Sequence, residues 1–216
     1  LPTGTLIDSW KSKVGDANAT QSSEVLKPKS NFFGDTNLKA VAFDGGDYLL
    51  DDNASLPVQH IFAVYRGKYE NRDCIFSDDS SYKLTNLKDG TFLEGGFHVS
   101  AGGTARISGR NPQHPGDFNW QSNIVTLTAG SGGSYNGTFA KLGIGGQKAN
   151  AYNWEGEFGE ILFYNRALSN SERDAVERYL ADKWGITLYV DQQAAYDAAK
   201  PPDEPENGLL AYYKFE

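Results

Sequence analysis

Gly156-Glu157-Phe158-Gly159-Glu160-Ile161-Leu162-Phe163-Tyr164 is the last strong apolar run in the body of this chain, and the fold class turns on it. It has the composition of a strand, and it closes a long series of similar runs. Lys39 to Phe43 leads through the turn signal Asp44-Gly45-Gly46 into Asp47-Tyr48-Leu49-Leu50. His60-Ile61-Phe62-Ala63-Val64-Tyr65 is apolar on both faces, which marks a central strand covered on both sides. Cys74 to Phe76, Tyr82 to Leu84, Phe97 to Val99, Ile124 to Leu127 and Phe139 to Ile144 keep the rhythm. Short strands broken by Gly, Asn and Asp predict an all-β sandwich or barrel.

One segment beyond Tyr164 is plainly helical. Ser169 and Glu172 form the S-x-x-E capping box, in which the hydroxyl accepts an orphan amide and the carboxylate reaches back. Ala175, Val176, Tyr179 and Leu180 make one apolar stripe, Trp184 follows one turn later, and Gly185 is the natural stop. The spacing predicts a single amphipathic helix over 169–184, packed on the rim or face of the sandwich. Residues 1–188 are expected to form one antiparallel body. Ala194 to Ala199 suits a short helical turn, and 189–207 reads as an acidic linker carrying Pro201, Pro202 and Pro205.

Composition narrows the function classes. The chain has 216 residues, a formal net charge of −8 and 24 glycines. That acidity, with no basic patch, argues against nucleic acid or an anionic membrane as partner. No apolar stretch is long enough to span a bilayer. Leu1 reads as a processed or truncated end, since the sequence holds no Met. The single Cys74 lies in a strand-like run and is expected to be a buried, inert thiol. Acceptor sequons begin at Asn18, Asn53 and Asn136, which permits an extracellular, glycosylated protein.

The end of the chain, 208–216, is a strand in its own right: Gly208-Leu209-Leu210-Ala211-Tyr212-Tyr213-Lys214-Phe215-Glu216. A lone strand cannot satisfy its backbone or bury its rings, so Leu209, Leu210, Tyr212, Tyr213 and Phe215 must pair with some body. The other end shows no strand-like run before Trp10.

Two blocks resemble a known family. Trp10, Gly15 to Gln21 and Val41-Ala42-Phe43-Asp44-Gly45-Gly46-Asp47-Tyr48-Leu49 resemble the first third of laminin-G-like domains, in the concanavalin A-like lectin/glucanase superfamily. Gly156 to Ser169, then Glu172-Arg173 and Tyr179 to Ile186, resemble the family's closing signature. Over about residues 8–187 the resemblance implies an antiparallel two-sheet jelly-roll sandwich with one C-terminal helix. Such domains usually begin with a strand of the type carried here by Gly208 to Phe215. Three accounts follow: a piece of a tandem array, a permutant that closes on itself, or a subunit whose strand completes a neighbouring copy.

Candidate chemistry is sparse. Glu155, Glu157 and Glu160 have the spacing of the catalytic stretch in laminarinase-type glucanases of that superfamily. Retaining glycosidases need two carboxyl groups about 5 Å apart. In a regular strand Glu160 would point away from the other two unless a bulge intervenes, and the laminin-G-like signature accounts for Gly156, Gly159 and Glu160 without catalysis. His60, His98 and His114 lack metal-ligand spacing. Gly130 to Gly133 and Gly143 to Gly146 read as hairpin turns rather than phosphate loops. Asp44, Asp47, Asp51 and Asp52 gather around one turn, with Asp78 and Asp79 as a second cluster, and calcium is the cofactor such carboxylates would take. Turn chemistry alone also explains them. Trp120, Trp154 and Tyr152 lie in polar loops where flat apolar faces could stack on sugar rings, though the resemblance also gives Trp154 a structural reading, since the family often has an aromatic there; Trp10 and Trp184 read as core.

The expectation is therefore a non-catalytic extracellular or cell-surface module for adhesion or assembly, with neighbouring copies as partners through the last strand. A carbohydrate-binding, lectin-like module is the alternative, with glycans as partners, and a glycoside hydrolase is the third reading.

Overall fold

A computed structural model describes residues 1–68, 74–77, 82–85, 103–109, 121–130, 138–146, 153–188 and 209–215. Fifteen strands and one α-helix are described: β1 Ser9–Lys11, β2 Asn18–Thr20, β3 Lys29–Phe32, β4 Lys39–Asp44, β5 Leu49–Asp51, β6 Leu56–Pro57, β7 His60–Gly67, β8 Cys74–Ser77, β9 Tyr82–Thr85, β10 Thr104–Ile107, β11 Asn123–Thr128, β12 Thr138–Phe139, β13 Leu142–Ile144, β14 Glu155–Tyr164, α1 Asn170–Trp184 and β15 Leu209–Lys214. They build two antiparallel sheets, one in the order β1-β2-β5-β13-β8-β9 and the other β10-β11-β7-β14-β4-β3, with β15 also on β14. A small β6–β12 pair stands apart.

The alternation of side chains places the core. From β7, Ile61, Ala63 and Tyr65 enter the cluster between the sheets, where Leu49, Phe76, Leu142 and Ile144 come from the opposite sheet. Phe62 and Val64 turn the other way and pack with Val176, Leu180 and Trp184 of α1. A strand buried by a sheet on one face and a helix on the other has few polar positions to spare, which is why Ile61–Tyr65 reads as continuously apolar.

The helix is capped as its sequence predicts. Ser169 Oγ accepts from Glu172 N at 3.3 Å, and Glu172 Oε2 accepts from Ser169 N at 2.8 Å. Hydrogen bonds from the Arg166 guanidinium first, then from Ser169, hold the Glu172 carboxyl at about 2. Gly185 ends the helix in the left-handed region, φ 65°.

The glycine run at 143–146 corrects one expectation. Gly143 is not in a hairpin turn; it pairs with Leu50 on one side and Ser77 on the other, inside β13. A Cβ there would run into the Ser77 hydroxyl and Gly146 O. The turn comes after it, at Gly145, φ 78°. The predicted strand Phe139–Ile144 is split into β12 and β13. Phe97–Val99 and the linker 189–207 lie outside the described residues.

Candidate functional site

Strand β14 positions the carboxylate row and the seat of the last strand. Its register against β7 runs Phe158↔Tyr65 and then Glu160↔Val64, so Gly159 is an extra residue, a β-bulge. The bulge reverses the alternation beyond it. Phe158, Ile161 and Phe163 all face the inter-sheet core, while Leu162 and Tyr164 face α1. Glu155, Glu157 and Glu160 are thereby brought to one face, the condition that the carboxylate spacing left open. Gly159 also makes room for α1, because a Cβ there would meet the Trp184 ring within 2.9 Å at three atoms.

Each carboxylate in this row is already engaged. Glu155 pairs with Lys68 at 2.6 Å. Glu157 accepts from Asn31 Nδ2 at 2.8 Å and from Gly34 N at 2.9 Å. Glu160 is fully buried beneath α1, where its Oε2 accepts from Trp184 Nε1 and from Lys183 Nζ, both at 2.7 Å. That carboxylate lies under the helix, away from solvent.

The other half of the β14 edge holds β15. Strand β4 pairs only with Glu155–Phe158, and β15 takes Glu160–Tyr164 in line with it, with Tyr164 opposite Leu209 and Leu162 opposite Tyr212. The far edge of β15 meets the start of the chain: Lys13 N donates to Tyr212 O at 2.7 Å, and Tyr212 N donates to Ser12 Oγ at 2.9 Å. Ala211, Tyr213 and Phe215 enter the inter-sheet core, with Leu210 packed against it, and Tyr213 meets Trp10 edge-on at 5.4 Å. Tyr212 faces α1, and Lys183 Nζ donates to its hydroxyl at 3.0 Å and to Tyr179 OH at 2.9 Å. Burial penalises the Lys183 ammonium, but Glu160 and Tyr179 outweigh that and hold its pKa above the ordinary value. Burial, then the Glu160 charge, raises the Tyr212 phenol. Sequence reading picked out the apolar residues of this strand and missed Lys183, Tyr179 and Ser12. The one available signal was a tyrosine at a strand position facing the predicted helix.

The other candidates come apart. Asp44 and Asp47 do share a turn, where Asp47 Oδ2 accepts from Asp44 N at 3.3 Å. Burial and the Asp44 charge push the Asp47 carboxyl up to about 6. Asp51 clamps a different stretch, accepting from Asn18 N at 2.7 Å and Asn53 N at 3.0 Å. Calcium takes six to eight oxygens. Among the described residues no three His, Cys, Asp or Glu side chains gather as metal ligands. Trp154 is not an exposed stacking ring: it is fully buried against Phe158, and its indole N–H donates to Lys68 O at 3.0 Å. Trp120, Tyr152, His98, His114, Asp78 and Asp79 lie outside the described residues. His60 opens β7 as a buried strand residue, and burial lowers its pKa to about 4.

Compared with known proteins, the chain matches no family model, no curated protein and no solved structure.

Proposed function

We propose that this chain is a non-catalytic, laminin-G-like module of the jelly-roll type, acting in extracellular adhesion or assembly, with its last strand as the element that completes the body. The observation that carries this reading is the seat of β15, which fills the half-edge of β14 that β4 leaves open. A body with that half-edge vacant would expose unpaired backbone and the core around Trp10 and Phe163. The carboxylate row supports the non-catalytic part, because Glu155, Glu157 and Glu160 each serve an ion pair or hydrogen bond that holds neighbouring elements. A retaining hydrolase instead needs two of them facing a substrate cleft.

The test is deletion of residues 207–216. The expected result is a large loss of thermal stability, with aggregation of the truncated body. An unchanged melting temperature and unchanged native mass would overturn the reading. A companion assay measures turnover of a β-glucan, and none is expected. Turnover abolished by both Glu155→Gln and Glu160→Gln would establish a hydrolase instead.

A further inference from the structure

The bonds that hold β15 come from parts of the chain remote in sequence: the edge of β14, Ser12 and Lys13 from the first turn, and Lys183 from α1. Nothing in that set requires the strand to arrive from the same molecule. The lock is chemically specific. An ammonium has three donors, and Lys183 directs them at the Glu160 carboxylate, Tyr179 OH and Tyr212 OH. Tyr212 is the member of the set that β15 itself supplies. The core side is equally selective, with a small residue at Ala211 and a ring at Tyr213, both fully buried. An occupant must therefore present small, tyrosine, aromatic in consecutive positions, as Ala211-Tyr212-Tyr213 does.

We propose that β15 is an exchangeable strand, latched by Lys183, and that its replacement is the same strand of a second copy of this chain, giving a reciprocally swapped dimer. The inference rests on the reading that β15 completes the body. Exchange between identical copies conserves every contact, so it is a low-cost route to a dimer. The balance is set by concentration: the tethered strand competes at an effective concentration in the millimolar range, and occupancy in trans overtakes it as copies are crowded to that level.

The experiment mixes full-length chains grown in ¹⁴N and ¹⁵N medium and follows mixed-isotope dimers by native mass spectrometry from micromolar to millimolar concentration. Wild-type protein is expected to form mixed dimers slowly near the millimolar end. Tyr212→Phe, which removes only the latched hydroxyl, is expected to form them about tenfold faster, the scale of losing a hydrogen bond to a charged group. Monomers alone at every concentration would overturn the proposal, as would mixed dimers that persist when residues 207–216 are deleted. The wild-type arm decides even if the variant folds poorly. A deletion that destabilises the body while wild type stays monomeric would sink exchange and leave the completed-body reading standing.

Discussion

Asp47 and His60 are buried side chains whose charged forms the fold resists, and they act in opposite directions along the pH axis. Burial and the neighbouring Asp44 raise Asp47 from 3.8 to about 6. The folded state holds that proton more tightly, so the contribution is full below pH ~4 and lost as pH rises through ~6. Burial lowers His60 from 6.5 to about 4. Its contribution is full above pH ~6.5 and lost as pH falls through ~4. Each shift amounts to at most about 3 kcal/mol, so the two nearly cancel between pH 4 and 6. Asp47→Asn is therefore expected to stabilise the protein at pH 7 by up to ~3 kcal/mol and to have no effect below pH ~4. With Asp47 neutralised, the His60 loss is unmasked, and stability of the variant should fall between pH 6.5 and 4. Urea denaturation across that range checks both slopes. A variant no more stable than wild type at pH 7 would mean that the Asp44–Asp47 pair is not strained.

At the scale of elements, Gly159 and Ser169 do different work for the same helix. Gly159 permits the bulge that aims Glu160 at α1 and leaves space for the Trp184 ring. Gly159→Ala is expected to cost about 1–3 kcal/mol through overpacking and to perturb the Trp184 near-ultraviolet signal. Ser169→Ala removes the cap and should cost about 1 kcal/mol with that signal unchanged. Calorimetry and circular dichroism on the two variants separate the effects; equal spectra would refute the bulge argument. The cap was legible in the sequence because all its partners lie within one turn. The strand runs were legible for the same local reason, as period and composition. The bulge was not, since a one-residue offset is fixed by the partner strand β7 and leaves no mark in β14 itself. Gly143 was misread because a glycine chosen for close approach between strands looks the same as a glycine in a turn. Trp154 had two readings, because polar neighbours at Asn153 and Glu155 suggest exposure; its own ring turns into the core, as the structural reading has it.

Over the whole molecule, the first and last strands meet through one aromatic contact. Trp10 belongs to β1 of one sheet and Tyr213 to β15 of the other; their rings lie edge to face at 5.4 Å, and Phe163 closes on Tyr213 at 6.2 Å. The sequence displayed β15 as a strand needing a partner, but its place depends on how far β4 runs along β14, which no local pattern encodes. Tyr213 therefore measures how far closure of the two sheets rests on this strand. Its hydroxyl is buried with no hydrogen-bond partner among the described residues, and burial, with the Asp51 charge adding to it, raises its pKa. An orphaned buried hydroxyl costs roughly 1–3 kcal/mol, whereas the ring fills core volume. Tyr213→Phe is thus expected to stabilise the chain by about 1 kcal/mol. Tyr213→Ala should destabilise it by about 3–5 kcal/mol, the range for emptying an aromatic site in a core. Trp10→Ala should lose part of its own cost in the Tyr213→Ala background, by roughly 0.5–1.5 kcal/mol, because the pair interaction is then already gone. Thermal denaturation of the three single variants and the double variant completes the cycle. Strict additivity would mean that the two rings do not couple, and a Tyr213→Ala protein as stable as wild type would mean that the body closes without its last strand.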